Sequence, residues 1–231
     1  MTRLLLVVLG LSMLLPARAG EVAFNGVLPN GALYAGKVES MQERRFRNLV
    51  RQHTDYSCGA AALATILRHA YHLNTDEDTV IEGMMGVADP DLVRQRGFSL
   101  LDIKRYVESL GMRGRGYRIN ESRLHNLRVP GLVLMDVRGF RHFVVLKQVR
   151  AEMVELGDPV LGNRVLPLHD FLESWPSRAV FVVIGSDFDR NTVLLQSSEN
   201  PSARALYARQ LHGPISDAEL VDFGFTHADL F

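Results

Sequence analysis

An α+β domain is the fold class that this 231-residue sequence predicts, with helices first and an antiparallel sheet after them. Two observations carry the prediction. From Ser57 to Gly111 the apolar residues recur at helical spacing. Beyond it, short runs rich in Val, Leu and Phe are separated by Gly, Pro and Asp, the pattern of strands joined by turns. With 47% hydrophobic residues the chain can bury a full core. Its net charge of zero gives no electrostatic reason to expect nucleic acid. Phosphate-loop, CxxC and HExxH motifs are absent, so nothing calls for a nucleotide, a structural zinc or any other cofactor.

From the N-terminus, "MTR" is basic, "LLLVVLGLSMLL" is apolar and "PARAG" holds an A-x-A pattern at Ala17 and Ala19. This predicts a secretory signal peptide over residues 1–19, cut after Ala19, and a periplasmic mature protein. The apolar run is shorter than the roughly 20 residues of a spanning helix, so no stable membrane span is expected after its removal. Residues 20–47 form a lead-in, extended at first ("GEVAFNGVLPNGALYAG") and then charged. The main domain is expected over 48–186.

Its first helix starts at Ser57, read as N-cap, with Leu63, Ile66, Leu67 and Ala70 at helical spacing and alanines that permit close packing. "TDEDTVIEGMM" predicts a second helix, with Thr75 and Asp78 at capping-box spacing. Residues 86–98 are turn-rich and suit a loop or a short helix. Ser99 is the expected N-cap of a third helix, whose stripe is Leu100, Ile103, Val107 and Leu110 and which Gly111 ends. "RGYRI", "GLVLMDV", "HFVVLKQV", "MVELGD" and "AVFVVIG" are the expected strands, with "GFR" as a hairpin turn and "LPLHDFLESW" as one late helix. From Asp187 a helical tail is expected over 187–231, with a helix in "ENPSARALYARQLHG".

The single cysteine, Cys58, stands at the head of the first helix. Unpaired N–H groups there favour a thiolate, although a cysteine among alanines equally suits a small core position. An odd cysteine in an exported protein points to a free reactive group or a partner thiol. His142 opens an apolar strand directly after a turn, where a base can be held rigidly beside a cleft. None of the other histidines has a strand to aim it. Asp158 ends the following strand, close enough across a hairpin to orient an imidazole, though Asp-Pro-x-x-Gly is also a common turn. Gln52, six residues before Cys58, offers an amide that can join a helix N–H in stabilising an oxyanion.

Taken in order, "QHTDYSCGAAALATIL", "GFSLLDIKRYVESLGMRGRGYRI", "VPGLVLMDVRGFRHFVVL" and "VELGDPVLGNRVLPLHDFLESW" resemble the C39 peptidases from about residue 48 to 185. These are papain-like cysteine peptidases found as N-terminal domains of bacteriocin-exporting ABC transporters. The resemblance implies a papain-like fold, N-terminal helices packed on a C-terminal antiparallel sheet. It implies Cys58 as nucleophile, His142 as base and acid, Asp158 as its orienting acid and Gln52 as oxyanion donor. A protein or peptide substrate follows, with no cofactor. The chain carries neither the membrane helices nor the nucleotide-binding domain of those transporters. Stand-alone, signal-bearing members of this type imply an endopeptidase for an exported protein in functional-amyloid or secretion-system biogenesis, with secretion-system components as partners. Two other uses of the same frame are a non-hydrolytic client-docking module and acyl transfer by transpeptidation or deamidation.

Overall fold

The computed structural model describes residues 39–196 and two earlier strands, β1 (Glu21–Phe24) and β2 (Tyr34–Lys37). The chain divides into two compact units, 1–44 and 45–231. In the first, β1 and β2 pair antiparallel from Glu21 opposite Lys37 to Phe24 opposite Tyr34, in line with the strand-like lead-in. The short helix α1 (Met41–Arg45) follows, with Ser40 and Glu43 capping each other's backbone N–H groups. The expected signal segment lies outside the described residues.

The second unit holds the helices α2 (Cys58–Ala70), α3 (Glu77–Met85), α4 (Pro90–Arg96) and α5 (Leu100–Ser109). Then come β3 (Arg113–Arg118), α6 (Glu121–Leu124), β4 (Gly131–Val137), β5 (Phe140–Arg150), β6 (Met153–Asp158), β7 (Gly162–Pro167), α7 (Leu168–Ser174) and β8 (Ala179–Ile184). The strands form one six-stranded sheet in the order β3-β8-β4-β5-β6-β7, antiparallel throughout. This is the expected α+β architecture, helices first and sheet second.

Both faces of the sheet are covered, which explains why "HFVVL" is an unbroken apolar run rather than an alternating one. Successive side chains point to opposite faces. Phe143 and Val145 join the core beneath α2, α3 and α5, while Val144 and Leu146 join a second core with Leu124, Phe171 and Trp175. The central piece of the first core is α2, buried from Gly59 to Leu67 and again at Ala70. Its small residues let the helix lie close to the sheet. A Cβ on Gly59 would sit 3.2 Å from the Phe143 ring and 3.3 Å from Ile103 Cδ1.

Several expected boundaries change. Ser57 does not cap α2 with its side chain, because its hydroxyl turns to Glu77 and the Thr54 carbonyl. Asp76, not Thr75, caps α3, accepting from Thr79 N–H at 2.9 Å. The Ser99 cap of α5 holds and closes a capping box with Asp102. Within 86–98, Asp89 caps a short helix with Pro90 at its start, where the missing N–H costs nothing. The β4–β5 turn is Arg138–Gly139, both at positive φ as a type I′ hairpin demands, so Phe140 and Arg141 already belong to β5. Strand β7 is an addition to the expected strands: its polar Asn163 and Arg164 and its closing Pro167 suit a sheet edge rather than a buried strand.

The described start of the expected tail is not helical. Residues 187–196 are irregular and close the C-terminal end of α2: Asp189 N–H donates to Ala70 O (2.8 Å), Thr192 Oγ1 donates to His69 O (2.6 Å), and Leu194 is fully buried. Two of the carbonyls a helix end leaves unpaired are thereby satisfied. The helix expected in 199–213 lies outside the described residues.

Candidate active site

Cys58 is the first residue of α2 and is partly buried. Before it runs a loop held from several directions. Val50 N–H donates to Thr65 Oγ1 (2.9 Å), and Gln52 N–H donates to the Pro159 carbonyl (2.9 Å), one residue past Asp158. Tyr56 adopts a φ of 63°, a left-handed conformation that costs a side-chain-bearing residue about 1–3 kcal/mol and persists only where surroundings enforce it.

On either side of Tyr56 the loop is held by Glu77, at the start of α3 and only 3% exposed. Its carboxylate accepts from His53 N–H (2.8 Å), Thr54 N–H (3.2 Å) and Ser57 Oγ–H, and faces His53 Nδ1 at 3.1 Å. The sequence reading missed this residue. An acid in the first turn of a helix is normally solvated and dipole-favoured, and nothing in "TDED" singles out the one that is buried.

On the sheet side, His142 is the third residue of β5 and Asp158 the last of β6. Asp158 lies one residue beyond the Val145–Gly157 pair, which brings it diagonally within reach of His142. His142 Nε2 and Asp158 Oδ1 are 2.8 Å apart, and both residues are buried. Asp158 Oδ1 also accepts from Val160 N–H and Leu161 N–H at 2.9 Å each. The turn reading of Asp-Pro-x-x-Gly and the orienting reading therefore coexist in one carboxylate. On its other side His142 has Cys58 as a neighbour, close enough for the thiol to raise the imidazole. With Nε2 facing Asp158, Nδ1 is the ring nitrogen left for the sulfur. Phe140 stacks beside the imidazole, ring centroids 6.1 Å apart.

The electrostatics follow from this packing. Burial pushes the His142 imidazole down, but hydrogen bonds to Asp158 and Cys58 and the charges of both outweigh it and raise it to about 9. Burial likewise pushes the Asp158 carboxyl up, and the hydrogen bond and charge of His142, with the two loop N–H groups, hold it below its ordinary value.

Three of the four expected site residues, Cys58, His142 and Asp158, thus form one contiguous cluster. Gln52 joins it through backbone. Its Nε2 donates one hydrogen to the Thr54 carbonyl (2.8 Å) and keeps a second, while its Oε1 is buried with no hydrogen-bond partner among the described residues. No group of three His, Cys, Asp or Glu side chains among the described residues is placed to hold a metal.

A thiol at a helix head, an imidazole on β5 and a carboxylate at the end of β6 stand together on helices packed against an antiparallel sheet. The chain belongs to the peptidase C39 family, whose model matches residues 47–187. A Pseudomonas fluorescens protein described as "Probable functional amyloid protease FapD" is 50% identical over 216 residues, 94% of this chain and 94% of that one. The Pseudomonas aeruginosa protein of the same description is 51% identical over 204 residues, 88% of this chain and 89% of that one. The fold is that of the crystallised peptidase domain of Streptococcus ComA, a bifunctional ABC transporter of a quorum-sensing pathway (TM-score 0.51, 20% identity, covering 60% of this chain and 98% of that domain). The protein is accordingly a cysteine peptidase, with a protein or peptide as its substrate.

Proposed function

We propose that this protein is a periplasmic endopeptidase that cuts an exported component of a functional-amyloid system, with Cys58, His142, Asp158 and Gln52 as its catalytic residues. What supports the site assignment is the 2.8 Å pairing of His142 with Asp158, both buried, with Cys58 at the head of α2 beside the same imidazole. The substrate system rests on two relatives of that description, each about half identical over nearly the whole chain. The compartment rests on the pattern of residues 1–19, a basic start, an apolar run and an A-x-A site, which is that of a secretory signal.

The Cys58 thiolate attacks the scissile carbonyl, and the oxyanion is received by the Cys58 backbone N–H and the spare N–H of Gln52. His142, protonated and held by Asp158, gives its proton to the leaving amine. It then takes one from water as that water attacks the acyl-enzyme, which releases the acid and restores the thiolate beside a protonated His142.

Cys58→Ala should lower kcat on a cleaved peptide by about 10⁶-fold while leaving the melting temperature close to wild type. In cells, a cleavage product of an exported protein should disappear with Cys58→Ala and with His142→Ala, and return only with the wild-type chain. Unchanged exported fragments in both variants would overturn the reading. Recovery of the mature chain in the periplasmic fraction, beginning at Gly20, tests the compartment.

A further inference from the structure

We infer that Glu77 is a positioning residue for the oxyanion donors at the head of α2, an inference that rests on the proposed role of Cys58 as nucleophile. Every hydrogen bond of its carboxylate goes to the stretch between Gln52 and Cys58: His53 N–H, His53 Nδ1, Thr54 N–H and Ser57 Oγ–H. A buried carboxylate is costly unless hydrogen bonds replace its water, and here the acceptor capacity is spent on this one loop.

Two consequences bear on the chemistry. First, Glu77 grips Thr54 by its N–H, and the carbonyl of the same residue holds the Gln52 amide (2.8 Å). The orientation of Gln52 is thus inherited from Glu77. Second, Glu77, together with the carbonyl of the Thr54 it grips, draws the Ser57 hydroxyl away from the helix it precedes. A serine before a helix ordinarily accepts one of the first N–H groups, and here no such bond forms. The N–H groups at the head of α2 are left without a side-chain acceptor beside the Cys58 sulfur, where a tetrahedral oxyanion requires donors. The left-handed Tyr56 lies inside the gripped stretch, as expected of a loop shaped by outside contacts rather than by its own preferences.

Two small reagents with different needs separate this role from a merely structural one. Iodoacetamide alkylates the sulfur by displacement and forms no oxyanion. p-Nitrophenyl acetate acetylates it through a tetrahedral oxyanion, releasing p-nitrophenolate. In Glu77→Gln, which keeps the shape but presents an N–H to the loop's N–H groups, acetylation of Cys58 should fall about 10-fold or more while alkylation stays within about two-fold of wild type. Adding Ser57→Ala to Glu77→Gln should recover part of the loss, because the hydroxyl can no longer fold back onto the helix. Should Glu77→Gln not fold, Glu77→Asp, which keeps the charge and shortens the reach, should show the same selective loss to a smaller degree. Equal losses in both rates, or acetylation at the wild-type rate in a folded variant, would overturn the inference and leave the nucleophile reading standing. A wild-type protein that is not acetylated at Cys58 at all would instead remove the nucleophile reading, and this inference with it.

Discussion

On the imidazole side of the site the main restraints are short-range. His142 is positioned by the β4–β5 ladder and its two-residue turn, and Asp158 by the loop N–H groups two and three residues after it. On the thiol side nearly every restraint is long-range. The loop before Cys58 is tied to the α3 carboxylate of Glu77, to the Pro159 carbonyl and to Thr65 within α2. The difference follows from what each side is made of. A hairpin satisfies its own backbone groups, so a base at its end is aligned by the ladder itself. A loop entering a helix leaves its N–H groups unpaired, and another element has to supply the acceptors. A thiol that needs neighbouring N–H groups free for an oxyanion cannot be anchored by capping them. The anchor has to come from elsewhere in the fold.

The strongest way to break the imidazole side alone is Asp158→Asn, expected to lower kcat by about 10⁴-fold through loss of the imidazole's orientation and charge partner. Alkylation of Cys58 should persist in it, and steady-state kinetics beside an alkylation rate checks both. The next effect is in pH. His142 is raised to about 9 in the fold from an ordinary value of 6.5. Its contribution to stability is fully present below pH 6.5 and is lost as pH rises through about 9. Melting temperatures from pH 6 to 10 should therefore fall more in wild type than in His142→Gln, and the alkaline limb of kcat/KM should lie near 9. The smallest effect joins the two sides. Gly59→Ala presses the Phe143 ring and Ile103, an overpacking cost of about 1–3 kcal/mol, set against about 1 kcal/mol gained in helix propensity. A net loss of about 1 kcal/mol in a denaturant melt is expected, with kcat lowered more than KM because the thiol moves relative to His142.

Much of this molecule is determined by local and periodic information. The order of helices and strands, the Ser99 cap, the alanine face of α2 and the separation of Cys58, His142 and Asp158 along the chain all follow from spacing and residue type, which reflect 3.6- and 2-residue repeats. Only the tertiary structure decided which polar groups meet. Ser57 and Thr75 carry the signature of caps, but a hydroxyl takes whichever acceptor the fold brings closest, and for Ser57 that is Glu77 and Thr54. Strand β7 exists because β6 offers an open edge, not because its own residues demand one. Residues 187–196 look like the start of a tail until the unpaired carbonyls of α2 give them something to bind. Glu77 is the clearest case. Burial of an acid depends on donors converging from 20 or more residues away, and no pattern within its own helix records them.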